Sequence, residues 1–176
     1  MKLGEKGFTH IELIVALAII ALIGSATATA TIQVLRGTER SNDHMTAVRQ
    51  VQNAGYRISH DAQMAQGITT DNLTLPDFLV LGWAEWDSVG DPTYHSVTYF
   101  FEDLTDGIGK LKRSHWSSAG ANEQTLVAEY IYYNPDDPDN TSKASYQGPV
   151  LNVQLTALSG EIRETKEYRI NRRPNF

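Results

Sequence analysis

Residues 13–32 run for twenty positions without a charge, long enough for one bilayer-spanning helix. The run changes character partway. Residues 13–23 are strongly apolar, whereas 24–31 are Gly, Ser, Ala and Thr only. Such small residues let helices approach closely, which a helix serving only as a lipid anchor does not need. Helical periodicity then continues. Val48, Val51, Gly55, Ile58, Ala62 and Ala65 recur at spacings of three and four, with Arg49, Gln52, Asn53, Arg57 and Gln63 on the other face. No proline precedes Pro76, so the pattern predicts one helix from Phe8 to about Gln66. At about 1.5 Å per residue it would measure roughly 85–90 Å. Gly37 and the polar run "RGTERSND" leave room for local melting where the two halves join.

Beyond Gly67 the period changes to that of strands. "FLVLGW" (78–83), "SVTYFF" (96–101), "KLKRSHW" (110–116), "LVAEYIYY" (126–133), "VLNVQLTAL" (150–158) and "TKEYRI" (165–170) are rich in aromatic and β-branched residues. "SVGDPT", "DLTDGIG", "NPDDPDNTS" and "LSGE" separate them as turns. Alternation is clearest at Leu151, Val153 and Leu155 against Val150, Asn152 and Gln154. The expected class is α+β: a long N-terminal helix, its first half transmembrane, packed through its second half on a mostly antiparallel β-sheet. The corresponding divisions are 8–35, 36–66 and 67–176, the last a β-rich globular domain.

Composition narrows the classes. Hydrophobic residues make up 41% and charged residues 20%, a globular profile. The net charge is -6, and the Lys and Arg residues are scattered, with adjacent pairs only at Lys112–Arg113 and Arg172–Arg173, so no nucleic-acid footprint is visible. There are no cysteines, which removes disulfides, thiolate metal sites and cysteine nucleophiles. Lys2 and Lys6 outweigh Glu5 ahead of the apolar run, whereas the chain from Phe8 onward carries -7. A basic head predicts that the N-terminus stays cytoplasmic and that the acidic C-terminal domain lies outside the membrane. A rival reading is an ordinary signal peptide cleaved within "SATATAT", with Ala28 and Ala30 as candidates.

Glu12 stands out as a carboxylate at the edge of the apolar segment. The stretch "KGFTHIEL" followed by that segment resembles the amino terminus of the type IV pilin superfamily, which includes the pseudopilins of type II secretion. The resemblance implies a leader of residues 1–7, cut by a prepilin peptidase between Gly7 and Phe8. It further implies N-methylation of Phe8, with Glu12 as the fifth residue of the mature chain. Other pilin or pseudopilin subunits and an inner-membrane assembly platform are its implied partners. The implied location is the cytoplasmic membrane, single-pass, before entry into a filament.

An ionisable residue at membrane depth usually has a partner. Cleavage would create an α-amine on Phe8, four residues from Glu12 and within reach along one helix. In an assembled filament, the resemblance implies pairing of Glu12 with the Phe8 amine of a neighbouring subunit. Such a pair sets register more than net stability, because desolvation offsets the attraction. The plainer reading is a Glu12 solvated at headgroup depth. His10 departs from the family pattern, where an apolar residue is usual, and no role is assigned to it. "RISHDAQMAQG", "VTYFF" followed by "GKLKRSHW", and the terminal "YRINRRPNF" resemble minor pilins and J-type minor pseudopilins. These sit at or near a filament tip; a major, repeating subunit is the rival.

"NPDDPDNTS" gathers Asp136, Asp137, Asp139 and Asn140, hard oxygen donors of the kind calcium uses. An ordinary exposed turn accounts for the same residues. His10, His44, His60, His95 and His115 show no metal-ligand spacing. No nucleophile motif is present, and "GIG" at 107–109 belongs to a turn. Trp83, Trp86 and Trp116 are assigned to core or subunit contacts. The expectation is a non-enzymatic filament subunit without a cofactor, calcium excepted. The alternative is a secreted or membrane-anchored binding domain whose apolar segment is only a signal or anchor.

Overall fold

A computed structural model describes residues 9–172 apart from Val89 and Ala121. The fold is α+β, one long N-terminal helix followed by an antiparallel sheet. Helix α1 spans His10–Met64 without a break, passing through Gly37 and the polar join. Its 55 residues stop short of both sequence-predicted ends by two residues. The chain divides into two compact units at Ser41/Asn42. In the first unit the apolar side chains of α1 are exposed: Ile11, Leu13, Ile14, Leu17, Ile20, Leu22 and Ile23 are all more than half accessible. This is the one described helix long and apolar enough to cross a membrane.

In the second unit the predicted stripe is buried except at Val48, which is half-buried while Ala47 turns inward in its place. Ala47, Val51, Ala54, Gly55, Ile58 and Ala62 form the inward face of α1. The strands are β1 (Gly67–Thr69), β2 (Asp77–Trp86), β3 (Pro92–Thr105), β4 (Ile108–Ser117), β5 (Asn122–Tyr132), β6 (Lys143–Gln147), β7 (Val150–Ser159) and β8 (Ile162–Asn171). All pair antiparallel, in the order β1-β2-β3-β4-β5-β7, with β6 and β8 both on β7. Sheet and helix share one core. Leu79, Leu81, Val97, Tyr99, Leu111, Ile131, Leu151, Val153 and Leu155 are fully or nearly buried together with the helix stripe. The Asp106-Gly107 turn joins β3 to β4, both residues at positive φ (51 and 79), the backbone that Asp-Gly hairpins favour.

Two local features explain how α1 seats. Gly55 faces Tyr168 of β8, and a Cβ on Gly55 would fall inside that ring. The Tyr168 hydroxyl donates to the Val51 carbonyl at 3.0 Å, which ties the ring to the helix backbone. Two residues past the helix, Gln66 presents its amide to β2 as a strand backbone would. Its Oε1 accepts from Ala84 N at 3.1 Å and its Nε2 donates to Ala84 O at 3.3 Å.

Candidate functional site

At the start of α1, Thr9 is the N-cap. Its carbonyl accepts the Leu13 amide at 3.2 Å, and its Oγ1 accepts the Glu12 amide at 3.3 Å. Glu12 reaches back, its Oε2 accepting both the Thr9 amide and the Thr9 hydroxyl at 2.9 Å. Thr-x-x-Glu is thus a capping box, which satisfies otherwise orphaned amides at the helix end. Glu12 therefore has a local role that charge-based reading of the sequence missed, although the Thr9–Glu12 spacing carries the signal. Gly7 and Phe8, expected to flank the cleavage site, lie outside the described residues, as does the 1–7 leader. His10 opens the helix as an exposed residue.

Further along, the small-residue run closes its own hydroxyls. Thr27, Thr29 and Thr31 each donate to the carbonyl four residues back at 2.9 Å, and Ser25 donates to Leu22 O. A hydroxyl bonded to its own helix needs no outside partner in an apolar environment. These polar residues are thereby compatible with hydrocarbon surroundings.

Among the described residues of the globular unit, a buried ionic cluster is centred on Asp61. Asp61, in the last turns of α1, is 1% exposed. Its Oδ2 accepts from the Tyr99 hydroxyl (β3) and from Arg113 Nε (β4), both at 2.6 Å, and Arg113 Nη2 reaches Oδ1 at 3.3 Å. A carboxylate near a helix C-terminus meets the unfavourable end of the dipole. The guanidinium and the hydroxyl compensate here and tie the helix to two strands. Burial, then the Asp61 charge and hydrogen bond, push the Tyr99 hydroxyl far above the ordinary tyrosine range. Asp61 was legible as part of the "RISHDAQMAQG" segment; Tyr99 and Arg113 were not recognised as its partners. Their signal is an Arg and a Tyr at inward strand positions.

Next to this cluster the β3–β4 pairing brings two histidines together, which helix-type spacing could not reveal. His95 Nδ1 and His115 Nε2 are 3.1 Å apart, and both rings stack with Trp83. Glu85 Oε2 is 3.5 Å from His95 Nε2. Burial first, then Arg113 and His95, lower the His115 pKa. Among the described residues no three His, Asp or Glu side chains converge as a metal site.

The four calcium candidates fall in a turn closed by protein groups. Asn140 Nδ2 donates to Asp137 Oδ1 at 2.8 Å, and Tyr132 Oη donates to Asp137 Oδ2 at 3.4 Å. Arg163 lies 3.6 Å from the same carboxylate and over the Tyr132 ring. The Asp136 amide donates to Asn134 Oδ1, and the Asp139 carbonyl accepts from Gln154. Asp137 is therefore the staple of this turn. Comparison with protein-family models, with characterised proteins and with solved structures gave no match.

Proposed function

We propose that the chain is a pilin-like structural subunit, a minor pilin or pseudopilin, of a type IV pilus, type II secretion or related filament. One observation carries the reading. A single uninterrupted helix has an apolar, wholly exposed first half and a second half that forms the core of a folded domain. A cleavable signal has no reason to continue without a break into the domain core, since its removal would sever α1. Together with "KGFTHIEL" this supports processing between Gly7 and Phe8 by a prepilin peptidase and N-methylation of Phe8. The apolar half of α1 would hold the subunit in the cytoplasmic membrane and then pack against other subunits, delivered by an inner-membrane assembly platform. Glu12 would cap its own helix and, in the filament, meet the Phe8 amine of a neighbour. The role is non-enzymatic.

Shearing cells that carry the full filament system tests this reading. The chain should appear in the sheared filament fraction and, without the assembly platform, remain in the membrane fraction. Release of a soluble domain into the medium in both strains would refute it.

A further inference from the structure

Three of the aromatic side chains on the sheet face that points away from the core are strongly exposed and fall in one row. Trp86, Tyr94 and Trp116 are 68%, 55% and 49% exposed, whereas Trp83, on the opposite face, is buried. The strand register aligns them. Trp116 of β4 is opposite Ser96 of β3. Tyr94, two residues before Ser96, is opposite Ala84 of β2, and Trp86, two residues after Ala84, is opposite Pro92. Each step moves one strand across and two residues along, in the same direction. The three therefore form a straight, evenly spaced diagonal across β4, β3 and β2. Diagonal neighbours of this kind stand about 7–8 Å apart, so the strip is about 15 Å long.

The residues that directly adjoin it are small and uncharged. Ala84, Pro92, Ser96, Ser114 and Asn122 occupy the neighbouring positions on that face. The Tyr94 amide donates to Ser118 Oγ at 3.0 Å and its carbonyl accepts from Ser118 N at 2.9 Å, which fixes the middle of the strip. The strip itself carries no Lys or Arg. Lys112, four residues along β4 on the same face, is paired with Glu102, and Arg172 at the sheet edge donates to the Gln66 carbonyl. The adjoining β2–β3 turn holds Asp87 and Asp91. A phosphate backbone would find carboxylates there in place of free cations.

We propose that this diagonal is a binding platform for a neutral, extended polysaccharide. The face of an aromatic ring is electron-rich and attracts the polarised C–H groups of an apolar sugar face. A pyranose whose substituents are all equatorial presents such a flat face, and its ring-edge hydroxyls suit the Ser and Asn side chains between the aromatics. A β-1,4-linked glucan or chitin repeats that face at regular intervals, matching a straight, evenly spaced row. Scattered exposed aromatics need no explanation, but three in register with only small residues between them make a surface for a repeating ligand.

Full-length chain in lipid nanodiscs, titrated with cellohexaose and chitohexaose and pulled down on insoluble cellulose and chitin, tests the proposal. At least one of these probes should bind. Trp86→Ala, Tyr94→Ala and Trp116→Ala should each weaken that binding at least about five-fold. Trp86→Ala/Trp116→Ala together should abolish it, Trp116→Phe should retain most of it, and thermal melts should be unchanged. No binding to any of the four probes at millimolar sugar or in pull-down would overturn the platform. Binding equal in the double variant, or binding only to an oligo(dT) strand, would overturn it as well.

Discussion

Breaking the Asp61–Arg113 pair from either side leaves a buried charge without its partner, which costs far more than the pair contributes as a whole. Asp61→Ala or Arg113→Ala should destabilise the globular unit by about 3–5 kcal/mol, read from chemical denaturation in detergent. Asp61→Leu/Arg113→Met should recover most of that loss. Two pH limbs follow from the same neighbourhood. Tyr99 holds its proton more tightly folded than unfolded, so its contribution is complete below about pH 10 and is lost as pH rises past that value. Tyr168, raised by burial, acts in the same direction. His115 is depressed, so its contribution is present above about pH 6.5 and is lost as pH falls through and below it. Tyr99→Phe should flatten the alkaline limb and His115→Gln the acid limb; unchanged limbs would contradict these assignments. Glu12 allows its two roles to be separated. Gln at this position still serves a capping box, whereas Ala does not. If the charge pairs with the Phe8 amine, Glu12→Gln should be excluded from filaments as thoroughly as Glu12→Ala. Normal incorporation of Glu12→Gln would leave capping as its sole role. At this scale the sequence singled out Glu12, and held Asp61 only within "RISHDAQMAQG"; the Asp61 partners depend on cross-strand register, which the sequence does not display.

Among the elements, the α1–β8 contact rests on an absent side chain. Alanine is the better helix former by about 1 kcal/mol, so on propensity alone Gly55→Ala would stabilise α1. The Tyr168 ring occupies the space, and overpacking of this kind typically costs about 1–3 kcal/mol. A net loss in melting temperature is expected, and Gly55→Ala/Tyr168→Ala should lose less than the two single changes added together. Strict additivity would show that the ring and the helix do not interact. The helix and the six longer strands were readable because their periods of about 3.6 and 2 persist over many residues. The weakly alternating "KLKRSHW" is a full strand, β4, whose inward Arg113 is buried on Asp61. β1 and β6, three and five residues long, are too short to show a period. Gln154 falls on the polar side of the alternation, yet it and Thr156 are buried, and residues 139–142 fold over them. The Asp139 and Thr141 carbonyls hold Gln154, and Ser142 Oγ accepts the Thr156 amide. That cover comes from a distant turn, which local alternation cannot register.

For the whole molecule, the chain combines two compact units that meet different surroundings. In the first, the apolar residues of α1 lack any partner within the described chain. In the second, the same helix is core. A water-soluble protein rarely leaves so continuous an apolar surface uncovered; under the proposed function, lipid and then neighbouring subunits would cover it. The helix-plus-sheet class was legible at this scale from the long proline-free run and the later strand pattern. The functional reading turns on the junction at Gly7–Phe8. Mass spectrometry of the mature chain, isolated from cells with an active prepilin peptidase, tests it most directly. The account predicts an amino terminus at N-methyl-Phe8. An intact Met1, or a start near Thr31, would contradict it.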